Sequence, residues 1–280
     1  MGAFHLSKWY LDCVSEEGTA VVGYFARLRW RSLGLEYAAA LVAPEDGAPR
    51  QVHALRSLRP PALSGGVCTW RCEAVGVQAE WRALDAPVRR ELLRTPAGSI
   101  RWTLHQPRSE AHIRLAGDLL PGPGEIRGLG YVEELELTMP PWQLPFDVLL
   151  WGRFLSATDA LVWIRWEKGE NPAATRRQFV LLNGVPVDGA VVEPDRVLVA
   201  AAGASFGAGP GHGGTPSAEL RLSAGRPLRE GPLAASVFSA VPGLVSLLPR
   251  RFRDAHESKR LTRGLFGASA GWAIHEVVRW

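Results

Sequence analysis

Residues 128–154 read GLGYVEELELTMPPWQLPFDVLLWGRF. Two runs rich in β-branched, aromatic and leucine side chains, Arg127–Thr138 and Leu149–Ser156, flank a Pro-Pro-Trp turn, which reads as strand, turn, strand. On the first strand Tyr131, Glu133 and Leu135 share one face, while Val132, Glu134 and Glu136 fall on the other. The same rhythm extends outward through Trp9–Val14, Thr19–Trp30, Glu36–Val42, Val67–Ala74, Gly76–Leu84, Ile100–His105, Ala111–Ala116, Ala160–Glu167 and Trp272–Val278. Turn chemistry separates these runs, as at Glu17-Gly18, Pro44-Glu45-Asp46-Gly47 and Asn183-Gly184. Val77, Ala79, Trp81 and Ala83 alternate with Gln78, Glu80 and Arg82, the one-sided burial of a barrel wall, whereas Ala160–Ile164 is apolar on both faces. The fold class is all-β with few short helices. Helix is expected over Ala86–Arg94, with Asp85 as N-cap and Pro87 in the first turn, and over part of Leu244–Thr262.

With 280 residues, 46% of them hydrophobic, the chain can bury one large core or two of about half that size. Eleven Trp against four Tyr and nine Phe suit a wide apolar cavity or a filled barrel interior. Pro121–Gly124 reads as a hinge between an N-terminal half, 1–122, and a C-terminal half, 123–280, and glycine-dense Gly203–Thr215 as a linker or lid. Lys8 and Asp12 interrupt the first apolar run, so a secretory leader is not indicated; Leu233–Leu248 is too short for a membrane span and contains Pro242 and Gly243. Cys13, Cys68 and Cys72 cannot all pair, and Cys68 and Cys72 on one strand lie about 13 Å apart, beyond disulfide reach. A reducing cytoplasm is the expected location. The net charge of +4 is mild and spread out, which speaks against nucleic acid. Its densest part, Arg250 to Arg263, reads as a solvated basic face, or as a contact with an anionic ligand or a membrane surface.

Two blocks resemble a known family. Gly128-x-Gly130-Tyr131-x-Glu133-Glu134-Leu135, followed by Trp151-Gly152-Arg153, resembles the Gly-x-Gly-Tyr-x-Asp-His-Asn-Trp-Gly and Trp-Gly-Arg signature of the carotenoid hydratase (hydroxyneurosporene synthase) family. Lys8-Trp9-Tyr10-Leu11-Asp12 with Glu17-Gly18 is similar to that family's Glu-Trp-Trp-Tyr-Phe-Asp opening. The resemblance implies two lipocalin-like antiparallel β-barrel halves in tandem. Glu133 stands where the family has Asp, Glu134 where it has His and Leu135 where it has Asn, so only the acid is kept in kind.

An acid-catalysed reaction on an alkene needs a proton donor in apolar surroundings, aromatic faces that stabilise positive charge, and a dry cavity. The resemblance assigns the acid to Glu133; Asp12, inside an apolar strand, is a second carboxylate or a buried anchor. Trp9, Tyr10, Tyr131, Trp151, Arg153, Trp163 and His275 are the candidate lining. No histidine or cysteine spacing suggests a metal, no Gly-x-Ser-x-Gly elbow a serine nucleophile, and no phosphate loop a nucleotide. Three readings follow: a cofactor-independent hydratase, isomerase or cyclase acting on a polyene or polyketide-like molecule in an apolar barrel cavity; a carrier holding a lipid or pigment unchanged; and a structural or assembly protein.

Overall fold

The computed structural model describes residues 4–55, 58–116, 119, 124–169, 175–200, 218–222, 225–233 and 249–280. They form two ten-stranded antiparallel sheets. The first contains β1 (Phe4–Val14), β2 (Ala20–Trp30), β3 (Leu33–Ala43), β4 (Arg50–Leu55), β5 (Ala62–Ser64), β6 (Val67–Cys72), β7 (Val77–Ala83), β8 (Val88–Thr95), β9 (Gly98–Leu115) and β10 (Gly124–Leu137). The second contains β11 (Val148–Ser156), β12 (Ala160–Glu167), β13 (Arg177–Leu182), β14 (Val185–Pro186), β15 (Val191–Val192), β16 (Arg196–Val199), β17 (Ala218–Arg221), β18 (Arg226–Pro232), β19 (His256–Phe266) and β20 (Ser269–Arg279).

The strand order of the first sheet is β4-β3-β2-β1-β10-β9-β7-β6-β5, with β8 added to β9; adding ten to every label gives the order of the second. In each sheet the first strand pairs with the last, which is the closing strand in chain order and lies at the middle of the sheet: Leu6↔Leu137 to Val14↔Leu129 in one, Val148↔Arg279 to Ser156↔Gly271 in the other. The topology is that of a duplicated lipocalin-like half.

The chain divides into two compact units, residues 1–144 with 234–253 and residues 145–233 with 254–280. A division after residue 122, as expected from the hinge, would part β9 from β10, which pair from Gly124↔Leu115 to Leu137↔Ile100. Pairing on that scale keeps β10 in the first unit. Residues 121–123 of the hinge and the whole of Gly203–Thr215 lie outside the described residues.

Both helix expectations need correction. The Asp85 and Pro87 start signals do not open a helix: Val88–Thr95 is β8, whose ladder on β9 outweighs the local propensity of a Leu- and Arg-rich octet. In the second region the described helix is only α1, Arg250–Arg253, and β19 begins at His256.

One face of each sheet carries a hydrophobic core. In unit 1 it gathers Trp9, Leu11, Phe25, Ala40, Trp70 and Trp81 among others, and in unit 2 Leu150, Phe154, Leu161, Trp163, Val197 and Leu220. Trp70, Trp81 and Trp163 are each 1% exposed, so the tryptophan excess fills these interiors. Deleting one such ring costs roughly 3–5 kcal/mol. Glycine makes room for them: a Cβ at Gly152 would sit 2.2 Å from the Trp163 ring, which accounts for the glycine of Trp-Gly-Arg. Cys13, Cys68 and Cys72 are buried and form no disulfide, and burial pushes the Cys68 thiol up to about 12.

Candidate functional site

The face of sheet one opposite the core is also buried, and it carries two acids. In register, Tyr10 lies across from Tyr24 on β2 and from Glu133 on β10, and Asp12 across from Tyr131. Each carboxylate thus faces a tyrosine, and the two acids are diagonal neighbours, about 7 Å apart at the backbone. Asp12 is 0% exposed and Glu133 9%. A bulge helps to place them: Tyr131 has no register partner on β9, and the ladder shifts on either side of Val132. Tyr131 reaches along its own strand and donates its phenolic hydrogen to Glu133 Oε2 at 2.6 Å. Trp102 Nε1, from β9, donates to the same oxygen at 2.6 Å. Both donors fix the carboxyl plane and occupy Oε2, so any carboxyl proton sits on Oε1. The Tyr10 ring meets Tyr24 edge-on at 5.4 Å and Tyr131 at 6.0 Å.

The glycine spacing is steric. A Cβ at Gly130 would lie 2.6 Å from the Asp12 carbonyl oxygen and 2.6 Å from Trp81 Cδ1, where the Trp81 indole donates to that same carbonyl at 2.7 Å. Gly130 lets Trp81 reach across β10 and pin β1 at Asp12.

Alternation sends Trp9 and Tyr10 to opposite faces, so they do not line one site. Trp9 lies flat on His105, centroids 4.7 Å apart and planes 6° from parallel. His105 Nε2 stands 3.4 Å from Glu134 Oε2, and Ser7 donates to Glu134 Oε1 at 2.7 Å. Burial pushes the Glu134 carboxyl up, but hydrogen bonds from His105, Ser7 and Trp9, with the His105 charge, outweigh it and hold the group below the usual carboxylate range. Glu134 replaces the histidine that the sequence resemblance places there, and the fold brings a histidine beside it from β9.

In unit 2 the face opposite the core is polar as well as buried. Trp151 lies across from Glu276 on β20, and Glu276 across from Lys259 on β19. Lys259, 2% exposed, pairs with Glu276 at 2.5 Å and Glu257 at 3.5 Å, and its ammonium stands 5.7 Å from the Trp151 ring centroid. Arg153, on the same face as Trp151, is 0% exposed and donates to the Trp272 carbonyl at 2.8 Å. Trp163 and His275 are on the core side. Trp163 covers Gly152, and His275 Nε2 contacts Thr262 Oγ1 at 3.1 Å. Burial, and secondarily the Arg260 charge, lower the His275 pKa to about 4, so it is a neutral interior histidine at pH 7. Of the basic stretch, Arg250 and Arg253 are exposed on α1 and Arg251 donates to the Leu144 carbonyl at 2.8 Å, whereas Lys259 is buried in its ion pairs. Among the described residues no group of three His, Cys, Asp or Glu side chains could hold a metal ion, and no helix is long and apolar enough to cross a membrane.

The duplication places an acid at the same position twice. Glu133 and Glu276 each lie on the closing strand, across from an aromatic residue of the opening strand, on the face away from the core. Neutral donors hold the first and a buried ammonium the second. The partners Trp102, Tyr24, His105 and Lys259 escape sequence reasoning because each arrives from another strand by pairing.

Fold and site together describe a tandem lipocalin-like protein. Comparison with solved structures agrees. The chain is similar to CghA (TM-score 0.60, 14% identity, 99% of this chain and 88% of that one), which has also been solved with Sch210972. It is similar to a protein of Nitrosomonas europaea assigned as AttH (TM-score 0.57, 12% identity, 98% and 92% covered) and to kievitone hydratase from Nectria haematococca (TM-score 0.50, 11% identity, 99% and 89% covered). Likeness at these identities establishes the fold. No protein-family model matches the sequence, and no curated protein matches it in a sequence search.

Proposed function

We propose that this protein is a cofactor-independent hydratase or cyclase for a hydrophobic polyene or polyketide-like molecule, with Glu133 as the proton-transfer group. The observation that carries the reading is the buried Glu133 carboxyl, fixed through Oε2 by Trp102 and Tyr131 beside the rings of Tyr10 and Tyr24. Tyrosine faces stabilise positive charge that develops when an alkene takes up a proton, and the two donors prevent the carboxyl from rotating as Oε1 gives or regains it. Asp12, diagonal to Glu133, is a second buried carboxyl group on the same face. The kievitone hydratase likeness supports hydration as the first reaction to test.

The test begins with organic extraction and native mass spectrometry of protein purified from its own source. The extracted molecule is then incubated with wild type and with Glu133→Gln. Conversion by wild type and at least a hundredfold slower conversion by Glu133→Gln, in line with the usual worth of one acid–base group, support the proposal. Full activity in Glu133→Gln removes Glu133 from the chemistry, and a ligand recovered unchanged from wild type makes the protein a carrier.

A further inference from the structure

A cavity of about 440 Å³ opens in unit 1 over β8, β9 and β10, on the side away from Glu133. Its floor is two rows of side chains set by register. Arg89, Thr103 and Glu134 form one row; Glu91, Arg101 and Glu136 form the next. His105, with Trp9 stacked behind it, closes one end. The volume is within the range of sites for small organic molecules.

The lining carboxylates already have partners. Glu134 is held by His105 and Ser7, Glu136 stands 3.6 Å from His5, and Glu91 accepts from Arg94 Nε at 2.8 Å. Arg89 and Arg101 make no side-chain hydrogen bond or close ion pair among the described residues, although Arg101 lies between Glu91 and Glu136 in register and its charge acts on Glu91. They share one face of the β8–β9 pair, with the Thr103 hydroxyl directly across from Arg89 and two residues along the strand from Arg101. Arg89 and Arg101 are diagonal neighbours that line the cavity together with Thr103, and guanidinium forks and hydroxyls are the donors that recognise a carboxylate or phosphate.

We propose that this cavity is a second ligand site, specific for a small molecule bearing a carboxylate or phosphate group, with Arg89 and Arg101 binding the anion and Thr103 donating to it. Its anion-binding side chains lie on the opposite face of the β9–β10 pair from Glu133, although Trp102, which donates to Glu133, also lines the cavity.

The full chain is titrated calorimetrically at low ionic strength with pyrophosphate and, separately, with citrate, so that the two anion classes are distinguished. Saturable one-to-one binding of either probe is expected. Arg89→Ala and Arg101→Ala should each weaken it about tenfold, the worth of a hydrogen bond to a charged group. Arg89→Lys should weaken it less, because the charge remains while the fork is lost. Arg29→Ala, at an exposed arginine outside the cavity, should bind as wild type. Thermal midpoints confirm that each variant is folded, and Arg101→Gln replaces Arg101→Ala if that variant is not. Absence of saturable binding for both probes overturns the proposal, as does weakening by Arg29→Ala equal to that by the two cavity variants.

Discussion

The buried histidine of unit 2 supplies a stability term with a defined pH window. His275 is 6% exposed, touches Thr262, and has its pKa lowered from the ordinary 6.5 to about 4 by burial and by Arg260. Because the folded-state value lies below the unfolded one, the unfolded chain binds the proton first as pH falls. His275 therefore contributes its full stability above pH 6.5, loses it progressively down to about pH 4, and contributes nothing further to the slope below that. At about 1.4 kcal/mol per pH unit the loss is roughly 3 kcal/mol, a large share of the 5–15 kcal/mol typical of a folded domain. The assay is urea denaturation of wild type and His275→Gln at pH 7, 5.5 and 4.5, the variant keeping an acceptor for Thr262 but not titrating. Stability should fall more steeply in wild type than in the variant, with most of the roughly 3 kcal/mol appearing in the difference by pH 4.5. Parallel curves, with unchanged denaturant slopes, would refute the placement of a neutral His275 in the interior.

Gly152→Ala should destabilise unit 2 by about 1–3 kcal/mol, because its Cβ would stand 2.2 Å from Trp163 Cζ2 and 2.5 Å from Cε2. In a Trp163→Leu background, denaturation midpoints should show most of that cost gone, since the ring is its cause. Lys259→Met strips the ammonium from Glu276 and Glu257 and should cost about 3–5 kcal/mol; adding Glu276→Gln should recover part of it, as read from the same urea curves.

Much of the architecture is legible from local pattern. The alternation of Val77, Ala79 and Trp81 does put these residues in the core, and the double apolarity of Ala160–Ile164 matches a strand buried on both faces. The split of Glu133 from Glu134 also follows from period two, since Val132 joins the core and Glu134 takes the same side. Octet Val88–Thr95 defeats local reading because a cap signal precedes it and it holds good helix formers, while its pairing with β9 is set by tertiary structure. The same limit hides the clasp on Glu133: Trp102 is 31 residues away, and nothing near either residue announces the other. Trp163 and His275 show the converse limit, since residue type suggests a binding wall while strand parity turns both inward.

The closing pair of each sheet constrains how the chain folds as it is synthesised. β1 forms a hairpin with β2 at once, but its other edge has no partner until β10 emerges more than a hundred residues later. At ordinary elongation rates of 5–20 residues per second the wait is roughly 5–25 s. β11 waits in the same way for β20. In each half an open strand edge is thus exposed until the last strand arrives; β10 ends at Leu137 before β11 begins at Val148, so the first sheet can be completed before its duplicate exists, and wrong pairing between the duplicates is a hazard of the second wait alone.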